Sequence, residues 1–132
     1  MIHQSARIGK NVEIGKHTII EENVIIGDNV SIGHHTIIKQ GSIIGNHVSI
    51  GNSTTLGKPP FPSKKTATKL RTNFSPLIIA DSVRIGDNCI IYQDVLLMDG
   101  VFVGDVTSIR ENVEIGKNSI IGSFVMIENN TF

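Results

Sequence analysis

The sequence predicts an all-β fold: a parallel β-helix of triangular coils, 18 residues each, with one loop extruded from the column. Two spacings and one interruption predict it. Ile, Leu or Val recurs every six residues from Ile2 through Ile8, Ile14 and Ile20 to Ile50 and Leu56, then again from Ile79 to Ile127. Four residues past each of these anchors stands a small or β-branched residue, as at Val12, Thr18, Val24, Val30, Thr36 and Ser42. Between the two series, residues 58–76 hold all four prolines and break the beat.

Each hexad reads as a short strand and a turn. Neither a helical period nor simple alternation gives this pattern. The small residue and the next anchor are two apart, so both point inward and the residue between them points out. The three slots after the anchor are rich in Gly, Asp and Asn, which tolerate the left-handed backbone of a corner. Of the thirteen glycines, eleven directly follow an anchor, and Gly41 and Gly100 take the third slot after one. Three hexads close a coil, and stacked coils pair their backbones at about 4.8 Å. The architecture is quasi-one-dimensional. Residues 1–132 are expected to form a single domain, with coils over 1–57 and 77–132 and the excursion at 58–76. Prolines would spoil coil-to-coil pairing and are confined to that excursion. The chain stops at "IENNTF", where an anchor would come next, which reads as the N-terminal part of a longer protein.

The run "IGKNVEIGKHTIIEENVIIGDNVSIG" resembles the hexapeptide repeat of left-handed β-helix acyltransferases, nearest in look to nucleotide-sugar N-acetyltransferases. The resemblance spans residues 2–57 and 78–132. It implies a left-handed coil and a homotrimer with active sites in clefts between columns. It also implies transfer of an acetyl or other acyl group from acyl-CoA, with acetyl-CoA as co-substrate. The acceptor would be an amine or hydroxyl on a sugar-nucleotide or similar small molecule. Relatives often use a histidine as general base. No histidine follows His47, so His35, with His34 beside it, is the candidate. The segment "GDVTSIREN" resembles one in nucleotide-sugar acyltransferases, which implies substrate contacts for Asp105 and Arg110.

Two other readings share the fold. One is a non-catalytic trimeric scaffold or binding module. The other is a γ-carbonic-anhydrase-like metal enzyme, which "CIIYQDVLL" resembles; the downstream histidines needed as ligands are absent, so no metal is expected.

The corner rule accounts for most histidines before any chemistry is invoked. His17, His35 and His47 occupy the third slot, where Asn dominates, and histidine is enriched among non-glycine residues at positive φ. His17 and His35, eighteen apart, should stack on successive coils, with His47 on another corner and His34 in a solvated slot. By the same count His3, Glu21 and Lys39 fall on one corner, and Tyr92, Arg110 and Glu128 on another.

Charge is uneven. The chain has no net charge, yet residues 58–76 carry Lys58, Lys64, Lys65, Lys69 and Arg71 with no acid, against a net −5 over residues 77–132. Five cations without counter-charges attract phosphates, so the loop is expected to bind the anionic parts of acyl-CoA or a nucleotide-sugar. The neutral or acidic remainder argues against nucleic acid. No apolar run approaches the roughly 20 residues of a membrane span, and the N-terminus lacks a signal-peptide pattern. The lone Cys89 fills an inward slot, and a cytoplasmic location is expected. Outward-facing Ile19, Ile37, Ile25 and Ile43, continued by Phe102, Ile120, Ile90, Met126 and Leu96, point to self-association.

Overall fold

A computed structural model of the chain describes residues 1–61 and 74–132. Among these, eighteen strands, most of two residues, wind through six coils. The first coil runs Arg7–Ile8, Glu13–Ile14 and Ile19–Ile20; the last runs Val113–Ile115, Ile120–Ile121 and Met126–Ile127. All pairing is parallel, with Arg7 opposite Ile25 and Ile8 opposite Ile26 setting the 18-residue register. Three six-stranded sheets result. Sheet 1 begins at Ile8, sheet 2 at Ile14 and sheet 3 at Ile20. No helix among the described residues is long and apolar enough to cross a membrane.

The anchors make the core. Ile20, Ile38, Leu56, Ile91 and Ile109 of sheet 3 are fully buried, as are Val24, Ile79 and Leu97. Burying each such side chain stabilises by about 1.5–3 kcal/mol, which repetition turns into a stable column. One inward column is polar. Thr18, Thr36 and Thr54 donate to the carbonyls of Gly33, Gly51 and Gly86 in the next coil at 2.7, 2.8 and 2.9 Å. Cys89 donates its thiol to the Gly104 carbonyl at 3.1 Å, and Thr107 its hydroxyl to Gly122 at 3.0 Å.

The corners divide their labour differently from the sequence expectation. Apart from Gly57, the third slot takes the left-handed backbone, with φ of 55° at Asn11, 58° at His17, 55° at His35 and 58° at His47. Of the glycines that follow an anchor, only Gly57 has a positive φ. Most of the others, though not Gly116 and Gly122, are required by closeness: a methyl at Gly15 would stand 2.5 Å from the Gly33 carbonyl, and one at Gly27 would stand 2.7 Å from the Gly45 oxygen.

The excursion leaves and rejoins the column in phase. Strand Thr55–Lys58 lies beside Ile90–Tyr92, and across a bulge Lys58 pairs with Tyr92, so Lys58 belongs to the column. The chain returns at the fully buried Leu77, and Ile79 stacks directly below Ile44. The partner spacing there is 35 residues instead of 18, which is 17 more than between other coils. One sequence expectation fails as a result. His3, Glu21 and Lys39 are not on a different corner from Tyr92, Arg110 and Glu128: all follow strands of sheet 3 and line the edge between sheets 3 and 1.

Candidate functional site

The residues singled out by sequence fall on two edges of the prism. His34, His35 and Asp105 lie on the edge between sheets 2 and 3, Lys58 and Arg110 on the edge between sheets 3 and 1. Within one chain the two groups do not meet. Lys64, Lys65, Lys69 and Arg71 lie outside the described residues.

On the 2–3 edge, the slot before each left-handed residue forms a ladder. Its side chain accepts the backbone N–H of the coil before it. The Lys16 N–H donates to His34 Nδ1 at 2.7 Å, and the His34 N–H to Asn52 Oδ1 at 2.7 Å. The Asn52 N–H donates to Asp87 at 2.7 Å, and the Asp87 N–H to Asp105 Oδ1 at 2.8 Å. His34 therefore does what Asn and Asp do elsewhere, and its Nδ1 lone pair is committed, which leaves its proton on Nε2. It is exposed but not merely solvated. Asp105 likewise holds the turn above it. His35 differs: its exposed ring lies flat on that of His17, 5.1 Å between centroids and 16° from parallel, and among the described residues its ring nitrogens make no hydrogen bond.

Lower on this edge the corner turns apolar. Val106 and Phe124 hold the left-handed position, at φ 55° and 60°, where Asn is the natural occupant. They are 45% and 79% exposed, beside Ile90, Phe102, Ile120 and Met126 on the flanking sheets. A β-branched or bulky residue at positive φ is an outlier that costs roughly 1–3 kcal/mol.

The 3–1 edge carries charge and a notch. Lys58 Nζ lies 5.4 Å from the centroid of Tyr92, and Arg110 Cζ lies 4.7 Å from it. Arg110 Nε donates to Glu111 at 2.9 Å; this bond, with Tyr92 and Glu128 nearby, raises its proton affinity. Higher up, Lys39 pairs with Glu21 at 3.3 Å. Where the chain rejoins the column, Ser75 and Pro76 take the corner, and the Ser75 carbonyl accepts the Asp94 N–H at 2.8 Å. Beside them lies a notch of about 300 Å³ lined by Glu22, Asn23, Gln40, Gly41, Phe74, Pro76 and Gln93. Among the described residues no three His, Cys, Asp or Glu side chains gather as metal ligands.

Sequence reasoning placed Tyr92 in a ladder but gave it no role at a site, and it did not single out Gln40 or Gln93. For Tyr92 the available signal was the slot after the anchors of sheet 3, which lacks glycine on every coil but that of Gly57.

A family model described as bacterial transferase hexapeptide (six repeats) matches residues 5–40, 23–58 and 94–129. The chain belongs to this family. No curated protein gives a significant match. Among solved structures, this hexapeptide transferase is similar to the UDP-N-acetylglucosamine acyltransferase of Bacteroides fragilis, at 27% identity and a TM-score of 0.60, over 99% of this chain and 64% of that one. The enzyme of the same name from Campylobacter jejuni is 23% identical, with a TM-score of 0.62 over 98% of this chain and 61% of that one. The present chain thus spans less than two thirds of the length of either.

Proposed function

We propose that this chain is the coil stack of an acyl-CoA-dependent acyltransferase. It moves an acetyl or other acyl group to an amine or hydroxyl of a sugar-nucleotide or similar small acceptor. The observation that carries this reading is the 27% identity, over 99% of the chain, to a UDP-N-acetylglucosamine acyltransferase.

In this mechanism the acceptor nitrogen or oxygen attacks the thioester carbonyl while a base takes its proton, and the CoA thiolate leaves. Backbone N–H groups hold the oxyanion. Geometry favours His35 over His34 as that base. His34 has spent its basic lone pair on the Lys16 N–H, whereas the ring nitrogens of His35 are open to an incoming proton. Such a base contributes about 10²–10⁴-fold.

The proposal includes assembly as a homotrimer. Exposed Val106, Phe124, Ile120 and Met126 support self-association along the 2–3 edge, the edge on which His35 sits higher up. Contact there would bring His35 against a neighbouring copy.

The test is CoA release from acetyl-CoA in the presence of UDP-N-acetylglucosamine and a panel of amino sugars, read with a thiol reagent. The one cysteine is buried and will not contribute signal. Acceptor-dependent release supports the reading. A folded protein that neither releases CoA with any acceptor nor binds acetyl-CoA by calorimetry would sink it.

A further inference from the structure

We propose that the outer face of sheet 1 docks a second copy of this chain, with the two columns antiparallel about a two-fold axis. The inference does not rest on the acyltransferase reading.

The outward residues of sheet 1 stack directly on one another, one per coil. From the first coil to the sixth they are Arg7, Ile25, Ile43, Ile78, Leu96 and Glu114. Four aliphatic side chains run unbroken down the middle, with a cation at one end and a carboxylate at the other. Ile25 and Ile78 are 41% and 38% exposed, and Ile43 and Leu96 are half-buried. Arg7 and Glu114 are exposed, and among the described residues neither has an ion-pair partner. The other two faces lack this order. Sheet 2 stacks Glu13, Ser31, Ser49 and Arg84 above Phe102. Sheet 3 interrupts its apolar residues with Thr55 and Ser108.

Charge selects the occupant. A continuous apolar stripe rimmed by polar residues marks an interaction surface. A patch that pairs with itself does so about a two-fold axis, each copy offering the same residues. Parallel columns would set Arg7 against Arg7 and Glu114 against Glu114, which like-charge repulsion opposes. Antiparallel columns set Arg7 of each copy against Glu114 of the other. The same arrangement sets Ile25 against Leu96 and Ile43 against Ile78. Read down the face and then up it, the ladder is its own complement. The aliphatic residues supply the burial, and the end charges, weak as exposed pairs, supply orientation.

The neighbouring corner does not obstruct this approach. On the 1–2 edge, Asp28, Asp81 and Asp99 are turned along the column. They accept the N–H groups of Lys10, Asn46 and Asp81 at 2.8, 2.8 and 3.0 Å. Sheet 1 also lies across the prism from the 2–3 edge, so this contact and the one proposed there use different surface.

The experiment gives the chain one reactive thiol, as Arg7→Cys or Glu114→Cys; Cys89 is buried and stays silent. The two positions are five coils apart in one column, about 24 Å, which a short bis-maleimide does not span. The expected result is a cross-linked dimer when the two variants are mixed, and none from either alone. Cross-links from either variant alone would mean parallel columns and overturn the proposal. So would the absence of cross-links from every sample across the micromolar range. Carried into both thiol variants, Ile78→Glu should lower the yield at least about ten-fold, because it puts a carboxylate against Ile43 of the other copy. An unchanged yield would refute the apolar contact. By sedimentation, Arg7→Glu should weaken association roughly ten-fold, and adding Glu114→Arg should restore it. A double variant no better than Arg7→Glu would refute the antiparallel pairing. All these positions point away from the core, and circular dichroism checks each fold.

Discussion

The imidazole of His17 lies over that of His35, centroids 5.1 Å apart and planes 16° from parallel. One face of the His35 ring is therefore covered, and its edge and nitrogens project to solvent from a backbone fixed at φ 55°. Asn holds the equivalent position at Asn11, Asn29 and Asn88 with the same backbone. His35→Asn should accordingly leave the melting temperature within about 2 °C of the parent, because the corner accepts Asn. The same change should lower kcat at least about 10²-fold if His35 is the base. His17→Asn is the control and should spare kcat. An unchanged kcat in His35→Asn would assign the base elsewhere.

A second prediction concerns His34, whose Nδ1 accepts the Lys16 N–H at 2.7 Å. A ring that accepts at Nδ1 must carry its proton on Nε2. Long-range nitrogen–proton correlation spectra at neutral pH should report that tautomer. His34→Asn should preserve stability, since Asn46 and Asn52 accept from the same slot on other coils. His34→Ala should cost about 1 kcal/mol, read by urea denaturation, because the Lys16 N–H loses its acceptor to water.

Cys89 stands in a column of threonines, its thiol donating to the Gly104 carbonyl at 3.1 Å. Burial, and then the nearby carboxylates of Asp105 and Asp87, push its thiol above the ordinary range, against backbone hydrogen bonds that pull the other way. A thiol raised in the folded state contributes fully below its unfolded pKa of about 8.5 and loses that contribution as pH climbs through the folded value. The parent should therefore lose stability above about pH 9 relative to Cys89→Thr, which restores the hydroxyl ladder and removes the titration. Denaturant midpoints at pH 7 and pH 10 check it; parallel pH profiles would refute it.

Val106 and Phe124 occupy left-handed positions that Asn fills on other coils. Replacing both with Asn should relieve strain, raising the stability of the monomer by about 1 kcal/mol per site. It should also strip the apolar edge, so light scattering should find a smaller assembly than the parent. A double variant that is more stable and equally assembled would place the interface on another face.

The column was legible in the sequence because one geometric fact repeats: an inward pair two residues apart, then a corner. Ile20, Ile38 and Leu56 were readable as core from spacing alone, and His17, His35 and His47 as left-handed corner residues. Gly41, Gly57 and Gly100 do take the left-handed backbone read for them, but most glycines that follow an anchor were read with the right position and the wrong cause. Gly15 is small to admit the Gly33 carbonyl, a contact between residues 18 apart that local turn preferences do not encode. The ladder role of His34 was hidden for the same reason, since its partner Lys16 belongs to the previous coil. Tyr92 and Arg110 were placed on a separate corner because a repeat counted in sixes loses phase across an excursion that adds 17 residues. The site residues missed, Gln40 and Gln93, are separated in sequence by that excursion and lie in no hexad signature.

The departure of the chain after Lys58 also bears on how the protein folds. Every other coil closes a contact between residues 18 apart, such as Ile26 with Ile44, and only here does closure span 35, from Ile44 to Ile79. Doubling a loop adds about 0.6 kcal/mol to its closure entropy. That is small beside the burial of one anchor, so the extra chain is tolerated at equilibrium, and its toll falls on rate. Zippering should run quickly through three coils on either side and pause at this one seam, dividing a continuous stack into two cooperative halves.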